Sequence, residues 1–146
     1  MNTAVFAESW RGIVPLKSTR ADVDKILGKP TALDMVYMVG NISVRVMYAR
    51  KPCESGLPSN WGNWNVPKDT VININVDANI PIEKLNIANF ESFKWYTDDS
   101  DTSYYRLKKE GIEYSVRDGK VDYITYGPTE DDQKFLCKVN SPEIRY

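Results

Sequence analysis

The sequence predicts an α+β domain: a short N-terminal helix packed on a mainly antiparallel sheet of about five to six strands. Three observations carry this. Ser18–Pro30 combines a helix start, an apolar periodicity and a stop. Several later runs alternate apolar and polar residues with period two. Two pairs of such runs are joined by Gly40-Asn41 and Asp118-Gly119, dipeptides that favour tight hairpins.

The helix is expected from Thr19. Thr19 is the N-cap and Asp22 supplies the return bond of a capping box. Val23, Ile26 and Leu27 form one apolar stripe, and Arg20, Asp24 and Lys25 fall on the wet side. Gly28 stands where positive φ is wanted, and Pro30 prevents continuation. About two turns cannot offset the nucleation cost alone, so the stripe must dock on the strands that follow.

Trp10–Leu16 is an apolar lead-in, extended at Val14 because Pro15 follows. Met35–Val39 and Ile42–Tyr48 are the first hairpin, with Ile42, Val44, Val46 and Tyr48 on one face and Ser43, Arg45 and Met47 on the other. Thr70–Asp77 is a strand with Ile72, Ile74 and Val76 inward and Val71, Asn73, Asn75 and Asp77 outward. Pro81–Leu85 reads as one helical turn, and the stretch after it, through Trp95, covers an edge of the core. Asp98–Thr102 is acidic but lacks the central Gly and closing Glu of a calcium loop, and reads as a solvated turn. The last third is a meander. Asp118-Gly119 is a type I′ signal that pairs Val116 with Val121 and Tyr114 with Tyr123, leaving Glu113, Ser115, Asp122 and Ile124 on the opposite face. Thr129 caps a short turn through Leu136. Residues 10–140 thus form one domain, between tails at 1–9 and 141–146.

Composition limits the chemistry. Among 146 residues there are 19 basic and 20 acidic ones, a net charge of −1 and no histidine. That charge gives no nucleic-acid footprint. The apolar runs are too short for a membrane span. Without histidine, Ser-His and Cys-His nucleophile systems are excluded, as are most catalytic zinc sites. No cofactor and no metal are expected. An enzyme would have to rely on carboxylates such as Glu113 and Asp122, and the expectation is a non-enzyme.

Thr3-Ala4-Val5-Phe6-Ala7 has small residues at the −3 and −1 positions for cleavage after Ala7, as in the end of a signal peptide. An exported protein, periplasmic, cell-surface or secreted, follows from that reading; a cytosolic start with a frayed tail is the alternative. Cys53 and Cys137, if paired, close a loop of about 84 residues, worth roughly 4–5 kcal/mol on the chain-entropy model. The alternative is two separate buried thiols.

Arg50–Pro67 is a long loop holding three prolines, two glycines, Cys53, Trp61 and Trp64. Two readings are open. The tryptophans are an exposed aromatic platform for a sugar or a protein, or they fold back and cap the sheet. Trp61, Asn63 and Trp64, with Asn73 and Asn75 on the polar face of their strand, are the candidate binding residues.

Thr19, Val23 and Ile26-Leu27-Gly28-Lys29-Pro30, followed by the Gly40-Asn41 hairpin, resemble the opening motif of the small outer-membrane assembly lipoproteins and related β-lactamase-inhibitor-protein-like domains. The chain departs from that pattern at Lys17-Ser18, where a Gly usually precedes the cap, and it lacks the lipid-attachment Cys. Gly12–Arg20, Trp64–Pro67 and Cys137 resemble segments of exported bacterial proteins that bring no known activity. These resemblances imply a protein-binding or structural role in the envelope, as a subunit of a larger assembly. The alternative is a carbohydrate- or cell-wall-binding module using Trp61 and Trp64.

Overall fold

The computed structural model describes residues 9–32, 35–55, 62–93 and 101–138. One helix, α1 (Arg20–Leu27), accompanies seven strands: β1 (Val36–Val39), β2 (Ile42–Tyr48), β3 (Val71–Pro81), β4 (Glu91–Phe93), β5 (Ser103–Leu107), β6 (Ile112–Arg117) and β7 (Lys120–Tyr126). They form one antiparallel sheet in the order β1-β2-β3-β7-β6-β5-β4. The fold class is as the sequence predicts, with seven strands rather than five to six. β4 is the strand that periodicity misses, because three residues are too few to show a period.

The turns match their chemistry. Asp118 and Gly119 both have positive φ (54° and 74°), as a type I′ turn requires. Gly40 alone of its pair does (φ 64°), which fits a type II′ turn with Gly first. At Gly111 (φ 71°) an added Cβ would fall well inside contact distance of the Gly127 carbonyl oxygen, so only glycine fits.

The capping box of α1 is formed in both directions. The Thr19 hydroxyl accepts from the Asp22 N–H at 3.2 Å, and the Thr19 N–H donates to Asp22 Oδ2 at 2.9 Å. The docking face is rotated from the expected one. Val23 is fully buried and Leu27 partly so, but Ile26 is 45% exposed. The inward positions are Arg20, Val23, Asp24 and Leu27, still spaced i, i+3, i+4, i+7. Arg20 and Asp24 turn inward because the sheet offers them partners. The Arg20 guanidinium lies 4.0 Å over the Tyr48 ring and 3.1 Å from Asp69. The Tyr37 hydroxyl donates to Asp24 Oδ1 at 2.7 Å and meets the Tyr48 hydroxyl at 2.6 Å.

Two register irregularities reassign side chains. Tyr48 pairs with Val71 and Met47 with Asn73, so Ile72 is an extra residue. Val71, expected outward, therefore joins Ile13, Val23, Tyr37, Val44, Val46, Ile74 and Val76 in the main core. Ile72 crosses to a second cluster with Leu16, Ala49, Trp64 and Val66. On β7, Val116 pairs with Val121 as expected, but Ser115 pairs with Tyr123 and Tyr114 with Ile124. Asp122 is the extra residue, and it exchanges the expected faces of Tyr123 and Ile124.

Candidate functional site

Paired residues on neighbouring strands share a face, so the register gives each face directly. On the helix side, one row runs Tyr37, Val44, Val76, Ile124, Tyr114, Tyr105 from β1 to β5. The next runs Val46, Ile74, Tyr126, Ile112, Leu107. The apolar layer thus continues from the core into the β5–β7 half of the sheet.

Among the described residues, the cover of α1 does not continue with it. An eight-residue helix is about 12 Å long, whereas seven strands span about 29 Å. The core cluster under α1 reaches β1, β2 and β3, with Tyr126 of β7 at its margin. Among the described residues, the cover beyond Tyr126 is the crossing from β3 to β4, residues 82–90. It begins with a 3-10 turn at Ile82–Lys84, and its Phe90 ring stacks on Tyr114 at 5.0 Å. Tyr105, Leu107, Ile112, Tyr114 and Ile124 are left half-buried. Partial burial pushes the Tyr114 phenol pKa up, with a smaller push from the Glu110 carboxylate; burial and then Tyr114 raise that of Tyr126. This is a surface of three tyrosines and three aliphatic side chains on a rigid strand platform.

The opposite face is polar. Its central row is Arg45, Asn75, Thr125, Glu113, Arg106 and Glu91. Arg106 donates to Glu113 Oε1 through Nη2 at 2.9 Å and through Nε at 3.2 Å. Asn75 donates to Asn73 Oδ1 at 3.2 Å and accepts from the Thr125 hydroxyl at 2.5 Å. Asn73 and Asn75 therefore lie together, with Asn73 buried. Glu113 and Asp122 are not a close pair in a pocket. Glu113 sits opposite Thr125, and Asp122 lies beyond Tyr123, 3.9 Å from Arg117.

Trp64 is no exposed platform. It is 3% exposed, packed in the second cluster with Ile72, Leu136 and Met47. The physical reason is local. Segments 53–54 and 136–137 both hydrogen-bond to 63–64, at Cys53 N–H to Trp64 O (2.9 Å), Asn63 N–H to Glu54 O (2.8 Å) and Cys137 N–H to Asn63 O (2.8 Å). The Cys53–Cys137 disulfide ties the outer two segments across the middle one, with 5.6 Å between Cα atoms. The Asn63 side chain also donates to Cys137 O at 3.3 Å, which makes it part of the same clasp. Trp61 lies outside the described residues, as do Asp98–Ser100 of the acidic run.

A groove of about 240 Å³ separates the lead-in from the C-terminal segment, lined by Lys17, Asp131, Asp132, Lys134 and Phe135 among others. Among the described residues, no group of three or more Cys, Asp or Glu is placed to hold a metal ion, and no helix is long and apolar enough to cross a membrane. The chain matches no family model, no curated protein and no solved structure.

Proposed function

We propose that this chain is a non-enzymatic, exported protein-binding domain that docks a partner protein on the helix-side face of β5–β7. One observation carries the reading: the apolar layer of the sheet extends past its own cover. A sheet face must bury its apolar side against a second layer. In the β5–β7 half that layer is, among the described residues, the 82–90 crossing, and Tyr105, Leu107, Ile112, Tyr114 and Ile124 keep solvent contact. Tyrosine is favoured at protein interfaces because it offers a large ring and a hydrogen-bonding tip at low entropic cost. The disulfide supports an oxidising compartment, since such bonds persist outside the reducing cytosol. The likeness of Thr19–Pro30 to the envelope assembly lipoproteins points the same way. The sugar-binding alternative is weakened by the burial of Trp64, which removes a ring for stacking; its remaining support is the Asn73–Asn75–Thr125 polar row.

The experiment is affinity capture from an envelope fraction of the source cell, with Leu107→Asp and, on the other face, Arg45→Asp. The reading expects a discrete partner retained by Arg45→Asp and lost with Leu107→Asp. A glycan bound by wild type, lost in Asn75→Ala and kept in Leu107→Asp, would overturn it.

A further inference from the structure

We infer that the Cys53–Cys137 disulfide is a redox latch: a dithiol reductant opens it on the folded protein and frees the 129–138 segment from Trp64. Four features support this. Cys53 is exposed and Cys137 half-buried, so the bond lies at the surface and not within either hydrophobic cluster. The backbone at Cys53 is left-handed (φ 55°), a conformation that costs energy for any residue but glycine. Exposed and strained disulfides are the reducible ones.

The clasp also has its own small core. Trp64, Val66 and Leu136 pack with Leu16, Ala49 and Ile72, whereas the main core of α1 and the sheet contains none of the described residues of segments 53–66 and 129–138. A unit with a separate core opens without the rest unfolding. Finally, the Trp64 indole Nε1–H is buried with no acceptor among the described residues. Such a group is destabilised where it lies and gains a partner on reaching water.

The chemistry balances with the reductant alone. One thiolate of the dithiol attacks Cys53 Sγ; the Sγ–Sγ bond breaks and Cys137 leaves as a thiolate, taking a proton from water. The second thiol then attacks the mixed disulfide, closes the reductant's own disulfide and expels Cys53. Two electrons and two protons pass from dithiol to cystine. The opened clasp uncovers Trp64, Ile72 and Met47 beside Asn73 and Asn75, so the oxidised form hides an aromatic surface that the reduced form presents. These residues are distinct from the β5–β7 face, and the latch stands without it.

The test is hydrogen exchange read by mass spectrometry on the full chain, oxidised, in millimolar dithiothreitol, and as the Cys53→Ser/Cys137→Ser variant. The latch predicts two titratable thiols without denaturant. It also predicts exchange at Asn65, Leu136 and Cys137 faster by about tenfold or more, with β2, β3 and β7 unchanged. Resistance to dithiothreitol short of denaturation would overturn it, as would reduction with unchanged exchange in the clasp. So would loss of protection through the sheet together with the clasp, since the bond would then be a staple of the whole fold.

Discussion

Gly111 and Gly119 have the same handed backbone but different surroundings, so they separate strain from crowding. Ala at Gly119 meets open space and incurs only the left-handed conformation, about 1 kcal/mol. Ala at Gly111 adds overlap with the Gly127 carbonyl, and its loss of stability in urea should exceed about 3 kcal/mol. Tyr37 gives a second residue-scale prediction. Burial first, then the Tyr48 hydroxyl and the Asp24 carboxylate, raise its pKa far above the ordinary tyrosine value. A raised phenol pKa means that the unfolded state loses its proton first as pH rises. The stabilisation is complete below the unfolded value of about 10 and declines above it. Alkaline titration at 295 nm should therefore show a tyrosine that ionises only with unfolding, and Tyr37→Phe should flatten the fall in stability above pH 10. Gly119 was legible in the sequence through its Asp-Gly turn, whereas Gly111 and Tyr37 were not. Gly111 followed a Lys-Lys-Glu turn, and its real constraint is a contact with Gly127, sixteen positions on.

At the scale of the element, α1 shows what local signals decide and what they leave to the sheet. Its cap, its length and its stop were all readable, because they depend on neighbours within four residues. Its docking face was not, since Arg20 and Asp24 are drawn inward by Tyr48, Asp69 and Tyr37 from elsewhere in the chain. The rotated face predicts that Ile26→Lys changes stability by less than about 0.5 kcal/mol while Val23→Ala costs about 2 kcal/mol, measured by thermal or urea unfolding. Equal and large losses at both positions would restore the face read from the sequence. The strands follow the same division. The β2 faces read true because β2 pairs regularly with β1, whereas Val71 and Tyr123 changed sides at bulges. A bulge is a two-strand property, and no single strand's alternation reports it.

For the whole molecule, the strand order matters most. β3 lies inside the sheet beside the central strand β7; after β3 the chain runs to the far edge at β4, and the meander β5–β6–β7 returns to close on β3. This leaves α1 over one half of the helix-side face and the 82–90 crossing over the other. The polar loop with two tryptophans drew attention in the sequence as a recognition surface. Trp64 instead closes a clasp, and a half-buried surface of tyrosine and aliphatic side chains is assembled from β5, β6 and β7. Each contributes two ordinary strand residues, and their shared partial burial depends on where the helix ends.

The central claim is that Tyr105 and Leu107 face a partner while Tyr104 and Arg106, on the same strand, do not. Photocrosslinking with a benzoylphenylalanine side chain placed singly at residues 104, 105, 106 and 107 tests it in the source cell. Adducts with one protein at 105 and 107, and none at 104 and 106, are the predicted period-two result. Adducts at 104 and 106 alone, or at none of the four in a folded protein, would contradict the account.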